Sequence, residues 1–198
     1  MTQPSVTPNT CDPAEITNLN LIERASDGDF AAFGELYSFY LERIYRYVFY
    51  QVRDRMTAED ITEDVFIKAW KAIRSCKGKE KTFSTWLYRI AHNHLINTLR
   101  SQERLTSMEK NTMIEFSDPR QEIGPKIECR ELLETITSLP RNQKQVIILK
   151  FIEGFDNREI GKIMGKNEGA IRVSQMRALV AIKDKLGNGR NGNEKQTG

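Results

Sequence analysis

The chain has 198 residues, which is enough for one large domain or two small ones. A hydrophobic fraction of 39% and a charged fraction of 29% are typical of a soluble, folded protein, and the low glycine and proline content favours helices. No apolar run approaches the ~20 residues needed to cross a membrane, and residues 1–20 lack the basic start and apolar stretch of a secretory signal. We therefore expect an all-α cytoplasmic protein without membrane insertion.

The cysteines and histidines do not form the patterns of a disulfide framework or a metal site. Cys11, Cys76 and Cys129 are odd in number and far apart, which reduced thiols explain most simply. His92 and His94 stand two residues apart and would point to different sides of a helix, with no thiol or carboxylate at ligand spacing. No nucleophile–base pair or glycine-rich phosphate loop occurs. The sequence predicts neither an enzyme nor a cofactor.

The net charge of +3 conceals blocks of alternating sign. Basic against acidic residues number 8 against 12 in 1–75, 6 against 2 in 76–104, 4 against 7 in 105–140, and 10 against 5 in 141–185. Basic blocks favour contact with a polyanion through the release of counterions. Random surface charge is the alternative, so this pattern needs support from motifs.

The first helices are predicted from the spacing of apolar residues. Residues 1–18, rich in Thr, Pro and Asn, are typical of a flexible N-terminal extension. A helical pattern begins at Leu19 and is broken at 27–29. A longer helix follows, whose apolar residues from Phe30 to Val48 have three- and four-residue spacing, as expected for a core face.

The next predicted helix has an acidic surface. Thr57 and Asp60 have the spacing of a capping box, which predicts a helix start at this point. The surface of this helix suits a protein partner, although a merely solvated face fits the pattern equally well. Its charged residues include Asp60, Glu63, Asp64 and Lys68. A basic loop containing glycine, 75–81, follows.

The helix predicted from Thr82 to about Glu103 is marked by its lack of acids, since residues 81–102 contain no Asp or Glu. Amide and guanidinium groups read bases and phosphates, and aromatic rings stack on unpaired bases. The polar stripe, flanked by Tyr88 and His92, consists of Arg89, Asn93, Asn97 and Arg100. Phe83 and Trp86 open the helix, and for Trp86 a place in the core is the favoured interpretation.

Residues 104–127 lack strong periodicity and contain two proline turns, which predicts a linker. Its length supports a division of the chain into two small helical domains joined by a flexible tether. The predicted domains span 19–103 and 128–187, with a flexible tail at 188–198. Short helices are expected in the second domain at 128–138, 140–153, 156–164 and 167–186.

The second domain has the spacing of a helix-turn-helix. Small Gly161 lets two helices approach, Gly165 permits a left-handed turn, and Ile171 pins the second helix. Asp156 with Glu159 predicts a capping box, and Asn167 a second cap. The second helix would offer a polar face to the major groove, with lysines meeting phosphates. The residues concerned are Arg172, Gln175, Met176 and Arg177, with Lys162 and Lys166. An ordinary helical hairpin with a basic face is the alternative.

These segments, in this order, resemble bacterial sigma factors of the sigma-70 family, specifically the small extracytoplasmic-function group. AEDI (58–61) and VFIKAW (65–70) resemble the helix that binds core RNA polymerase, and FSTWLYRIAHN (83–93) resembles the helix that melts promoter DNA. Further segments resemble the family's C-terminal domain, namely LP (139–140), VIILKF (146–151), EG (153–154), EI (159–160) and GAIR (169–172). Several motifs in the family's order make the likeness specific over about 20–103 and 128–186.

The resemblance implies a sigma factor that binds core RNA polymerase at its clamp helices and flap, and that directs promoter recognition, DNA melting and transcription initiation. Polymerase docking is implied for Asp60, Glu63, Asp64 and Lys68. Contact with the melted minus-ten strand is implied for Lys79, Lys81, Tyr88, Arg89, Asn93, Asn97 and Arg100. Contact with the duplex minus-thirty-five element is implied for Lys166, Asn167, Arg172, Val173, Met176 and Arg177. An anti-sigma factor is the further implied partner.

Three features depart from the family pattern. Family linkers are often acidic, whereas the charge of 104–127 is balanced. Gly161 stands where alanine is frequent and should weaken its helix by up to ~1 kcal/mol. Ser174 and Gln175 are polar on a helix that must be partly buried, so the sequence defines the face that meets DNA only to within about one residue. Two other functions remain as alternatives. One is a helix-turn-helix repressor or activator that acts without polymerase, and the other is a helical adaptor whose basic faces are only solvated.

Overall fold

The computed structural model describes residues 13–76, 83–106 and 127–193, and gives side-chain surroundings for 20–76, 83–102 and 132–186. Within these ranges the chain is helical and contains no strand, which confirms the expected fold class. The helices are α1 (Pro13–Ser26), α2 (Phe30–Val52), α3 (Arg55–Ala72), α4 (Phe83–Thr106), α5 (Ile127–Thr137), α6 (Arg141–Ile147), α7 (Asn157–Met164) and α8 (Glu168–Asn193). The predicted contacts Lys79 and Lys81, and most of the predicted linker, lie outside the described residues.

Helices α1 to α4 pack around one part of the hydrophobic core. The turn between α1 and α2 uses Gly28, whose φ of 102° favours glycine, and Asp29 then caps α2 by accepting from the N–H groups of Ala31 and Ala32. The largest fully buried side chains of this core are Leu36, Ile44, Tyr47, Leu87, Tyr88 and Leu95. Phe30 was expected on the core face but is 72% exposed, because it occupies the first position of α2 and reaches only the edge of Trp70.

Helix α3 starts earlier than predicted. Asp54 is its cap and accepts from the N–H of Thr57 at 2.8 Å, so Thr57 already lies within the first turn. The predicted capping box at Thr57 is therefore wrong. Asp54, one turn earlier, takes the capping role instead. Arg53 caps the end of α2 with a left-handed φ of 59°, and Asp54 then lies in extended backbone, as an N-cap residue does.

Helices α5 to α8 pack around the other part of the same core, which includes fully buried Ile148, Leu149, Ile160, Ile163 and Ile171. Helix α6 continues into a π-helical turn, Ile148–Ile152, which the sequence did not predict. Its last bond joins the N–H of Glu153 to the carbonyl of Ile148, and Gly154, with a φ of 84°, ends the segment. Such turns are frequent at functional positions.

The helix-turn-helix forms as predicted, from α7 and the start of α8. Both hydrogen bonds of the capping box between Asp156 and Glu159 are present at 2.8 Å. Asn167 caps α8 by accepting from the N–H of Ala170 at 2.7 Å. Gly165 adopts the left-handed conformation with a φ of 64°, as the turn requires.

Helices of the N-terminal half also pack against helices of the C-terminal half, with α4 against α7 and α2 against α6 and the π-helical turn. The sequence predicted two domains but gave no indication of this contact.

Candidate functional surfaces of the two domains

The acidic surface is built on the outer side of α3. Ile61, Val65 and Ala69 face the core with at most 3% exposure, so the intervening charged side chains point outward. The structure brings four predicted docking residues together on this exposed side: Asp60, Glu63, Asp64 and Lys68. Rigid placement on a helix gives this surface a fixed pattern of charge.

His94 of α4 completes part of this surface and was not predicted to belong to it. The Lys68 ammonium donates to Nδ1 of His94, and Nε2 lies 3.0 Å from Oδ2 of Asp64. This arrangement fits a neutral ring that carries its proton on Nε2. Burial and then the Lys68 charge lower the pKa of His94, and Asp64 opposes them. No sequence signal marks the pairing, because 26 to 30 residues separate the groups.

The polar stripe of α4 is exposed along its whole length. Leu87, Ala91 and Leu95 are fully buried on the opposite side, which fixes the rotation of the helix. The exposed members are the predicted strand contacts Arg89, Asn93, Asn97 and Arg100. Phe83 and Trp86 are 3% and 8% exposed, so the favoured core placement of Trp86 is confirmed.

Tyr88 does not lie on this open stripe. It is fully buried, its hydroxyl donates to Glu153 of the second domain, and its ring is 4.8 Å from that of Phe155. Burial and then the Glu153 charge raise the pKa of Tyr88. In this arrangement of the domains the tyrosine is therefore closed off from any external strand.

The first turns of α8 present the predicted duplex-binding residues. Ile171 and Ala178 are fully buried, whereas Ser174 and Gln175 are only partly exposed. The exposed face carries Arg172, Val173, Met176 and Arg177, preceded by Asn167 and the partly exposed Lys166. Which face of α8 meets DNA stays a prediction. Arg172 pairs with Glu168 at 2.6 Å along the helix surface.

A basic cleft of about 600 Å³ lies where the two domains meet. Arg89 of α4 lines one side, and Arg158, Lys162 and Lys166 line the other, with Glu168 as an acid of the lining. The charge of Lys166 reaches His92 across this boundary and, after burial, contributes to lowering the pKa of His92 to about 4. Arg158 was not among the predicted contacts.

The described ranges offer neither a membrane-spanning helix nor a metal site. No helix there is long and apolar enough to span a bilayer. No group of three or more His, Cys, Asp or Glu side chains there is placed to hold a metal ion.

Comparison with known families gives two matches that follow the domains. The model for Sigma-70 region 2 matches residues 36–105, and that for Sigma-70, region 4 matches residues 129–182. The first match contains the acidic surface and the polar stripe, and the second contains the helix-turn-helix.

Characterised relatives extend the likeness over most of the chain. The extracytoplasmic-function (ECF) RNA polymerase sigma-E factor of Haemophilus influenzae is 31% identical over 188 residues, covering 87% of this chain and 96% of the relative. Sigma-E of Escherichia coli K12 is 31% identical over 185 residues, covering 87% and 95%. The ECF sigma factor BldN of Streptomyces coelicolor is 32% identical over 165 residues, 81% of this chain but only 62% of the length of BldN.

Solved structures with a similar fold include the sigma factor RpoE in complex with the anti-sigma factor NepR from Bartonella quintana. The TM-score is 0.67 at 21% identity, over 78% of this chain and 96% of the other. CnrH in complex with the cytosolic domain of CnrY gives 0.63 at 19% identity, over 87% and 98%. At these identities the likeness concerns the fold.

Proposed function

The chain belongs to the extracytoplasmic-function group of sigma-70 factors, and we propose that its acidic surface, polar stripe and helix-turn-helix divide the work of promoter recognition. As a sigma factor it binds core RNA polymerase and directs promoter recognition, DNA melting and transcription initiation. Its relatives are not enzymes, and we expect this chain to contribute contacts rather than catalysis. The cytoplasm, where bacterial polymerase works, is its expected location.

The observation that carries the proposal is the exposed, acid-free stripe of α4. Four polar side chains at helical spacing face outward, while the other side of the helix is fully buried. Guanidinium groups neutralise phosphates, and the amides of Asn93 and Asn97 can bond the edges of unpaired bases. A single strand lying along α4 would meet all four side chains, which suits the melted minus-ten element.

Duplex recognition is assigned to the exposed face of α8. Arg172 and Arg177 project from a helix narrow enough for the major groove, and arginine recognises guanine by two parallel hydrogen bonds. Val173 and Met176 add apolar contact with thymine methyl groups. Lys166 and Asn167, at the turn, are placed to meet the backbone phosphates. The minus-thirty-five element is the expected target.

Docking on polymerase is assigned to the acidic surface of α3, which excludes DNA by its charge. Separate docking and DNA surfaces favour a polymerase subunit over a repressor that acts alone. We also propose the domain division at 104–127, which separates region 2 from region 4 by a tether. An anti-sigma factor is a further proposed partner, because RpoE, which shares this fold, was solved with one.

The assignment of α8 is tested by Arg172→Ala combined with Arg177→Ala. Because each bidentate base contact is worth about 1–3 kcal/mol, run-off transcription from a cognate promoter should fall at least tenfold, while affinity for core polymerase stays unchanged. Lys183→Ala with Lys185→Ala removes the same charge from a later turn of the same helix and serves as the control. Equal losses in the two pairs would contradict the assignment.

The assignment of α3 is tested by Asp60→Lys combined with Asp64→Lys. Binding to core polymerase should weaken first, because reversed charges repel the surface that the acids attract. Glu35→Lys with Glu42→Lys makes the same reversal on exposed positions of α2 and should bind normally. Unchanged polymerase affinity with a direct loss of DNA binding would contradict this assignment.

A further inference from the structure

One imidazole joins the docking surface of α3 to the neighbouring helix. His94 of α4 lies between two of the four proposed docking residues: the Lys68 ammonium donates to its Nδ1, and its Nε2 lies 3.0 Å from Oδ2 of Asp64. The side chain of His94 is 16% exposed, whereas that of Asp64 is 57% exposed. The ring is therefore held between the helices, while the carboxylate that it contacts faces outward.

The two hydrogen bonds require one form of the ring. Because an ammonium can only donate, Nδ1 must offer a lone pair to Lys68, and Nε2 must carry the proton that is donated to Asp64. A neutral ring with its proton on Nε2 meets both conditions. A protonated ring does not, since its Nδ1–H and its charge would oppose the ammonium. The bridge from Lys68 through His94 to Asp64 therefore exists only while His94 is neutral.

The surroundings of the ring favour the neutral form. Burial, and then the charge of Lys68, lower the pKa of His94 below its ordinary value of 6.5, while the hydrogen bond and charge of Asp64 oppose them. Helix α4 also packs against α1, α2 and α7, but no charged side chain from the described residues of those helices contributes to the shift. The bridge is thus intact at neutral pH and is controlled by two groups of the docking surface itself.

The bridge arranges Asp64 and Lys68 before a partner arrives. Exposed side chains lose rotamer freedom when they bind, and side chains that are already held in place lose less of it. A carboxylate accepts up to about four hydrogen bonds, and an ammonium has more than one N–H to donate. Both groups can therefore bind a partner while they stay bonded to His94.

Protonation of His94 would change this surface in two ways. Lys68 would lose its acceptor and be pushed away by the imidazolium. The four docking residues are three acids and one base, with a net charge of −2, and the imidazolium would reduce this to −1. A partner surface that attracts the acids would attract the protonated form less. Docking should therefore weaken as the pH falls below 6.5.

We propose that His94 is a positioning residue for polymerase docking, which as a neutral ring holds Asp64 and Lys68 in their binding arrangement and which releases Lys68 when it is protonated. This inference rests on the proposed docking role of α3. It adds to that role a residue of another helix, which acts through its two partners, and a dependence of docking on pH.

Two variants separate positioning from packing. In His94→Leu the side chain can neither accept nor donate, whereas in His94→Gln the amide can accept from Lys68 and donate to Asp64. At pH 7.5, the affinity of the full-length protein for core RNA polymerase should fall about three- to tenfold in His94→Leu, as expected for the loss of exposed polar pairs, and less than about twofold in His94→Gln. Equal losses in the two variants, or no loss in His94→Leu, would overturn the positioning role.

The pH profile gives a readout that packing alone would not move. Between pH 7.5 and pH 5, the affinity of the wild type relative to His94→Gln should fall at least about threefold, because only the wild type has a group that titrates at this position. The ratio of the two affinities cancels the titration of the polymerase. A ratio that stays constant over this range would overturn the release of Lys68 by protonation.

The free protein tests the bridge without polymerase. Nitrogen NMR, with the signals of His94 identified by their loss in His94→Gln, should show the neutral ring with its proton on Nε2 at pH 7.5 and a pKa below 6.5. The opposite tautomer or a higher pKa would overturn the bridge.

Comparison with the charge reversal on α3 distinguishes this inference from the proposed function. If Asp60→Lys with Asp64→Lys weakens polymerase binding but His94→Leu does not, the positioning role fails and the docking assignment stands. If neither protein binds polymerase more weakly than the wild type, the docking assignment fails and the positioning role fails with it.

Discussion

Gly161→Ala is a direct test of the helix-turn-helix geometry. A Cβ built on Gly161 would lie 2.7 Å from the carbonyl oxygen of Lys166, against the 3.4 Å at which ordinary contact begins, a shortfall of 0.7 Å. That oxygen is backbone, and the N–H of the same residue donates to the carbonyl of Gly161 at 2.9 Å. The turn must therefore shift, and α8 with it.

Two opposing effects determine how much Gly161→Ala changes the free energy of unfolding. Alanine gains up to about 1 kcal/mol of helix propensity over glycine. Forcing a methyl group into closed space costs about 1–3 kcal/mol. We expect a net loss of about 1 kcal/mol in the free energy of unfolding. The frequent alanine of the family at this position would thus not suit the turn in this chain.

Gly169→Ala is the matched control, because its Cβ would meet only a side-chain oxygen, that of Asn167, at 3.5 Å. In the first turn of α8 it should stabilise by about 0.5 kcal/mol. The two variants should therefore differ by about 1.5 kcal/mol in urea denaturation followed by circular dichroism. A Gly161→Ala protein as stable as the Gly169→Ala protein would refute the close approach of α7 to the turn.

Two further predictions concern buried bases. Because burial, and then Lys166, lower the pKa of His92 from 6.5 to about 4, the unfolded chain binds more protons than the folded one, and stability is lost as pH falls below 6.5, by about 2 kcal/mol at pH 5. His92→Gln should remove this contribution, so that the urea midpoints at pH 7.5 and pH 5 lie closer together than in the wild type. An unchanged difference between the two midpoints would contradict the burial of His92. Burial, followed by the charges of Arg53 and Arg141, lowers the pKa of Lys144 from 10.5 to about 8, so stability should rise as pH increases from 8 towards 10.5. Lys144→Met should raise the free energy of unfolding at pH 7 by about 1–2 kcal/mol and remove this dependence, whereas a less stable variant would show that the bond to Gln51 dominates.

Local chemistry explains what the sequence could predict. The capping box at Asp156, the cap at Asn167 and the left-handed Gly165 each depend on residues within a few positions of one another, so their pattern is legible in the chain. The same kind of reasoning failed at Thr57, where Asp54 offered a second cap one turn earlier. Such local patterns identify candidate helix caps but do not show which of two neighbouring candidates is used.

The features that the sequence did not predict depend on contacts between residues far apart in the chain. Tyr88 was assigned to the strand from its position on α4, yet Glu153, 65 residues away, holds its hydroxyl. His94 joins Asp64 and Lys68 across two helices. Such pairs are set by how whole helices and domains pack, which the spacing of residues on one helix does not encode.

In the proposed function, two basic helical surfaces, one for melted strand and one for duplex, act together on polymerase. It is tested most directly by mapping RNA start sites with core RNA polymerase lacking any other sigma factor, on a library of promoter sequences. We expect transcripts from a defined position on a subset of templates, and only when the protein is present. Absence of any defined start on every template, despite active polymerase, would contradict it.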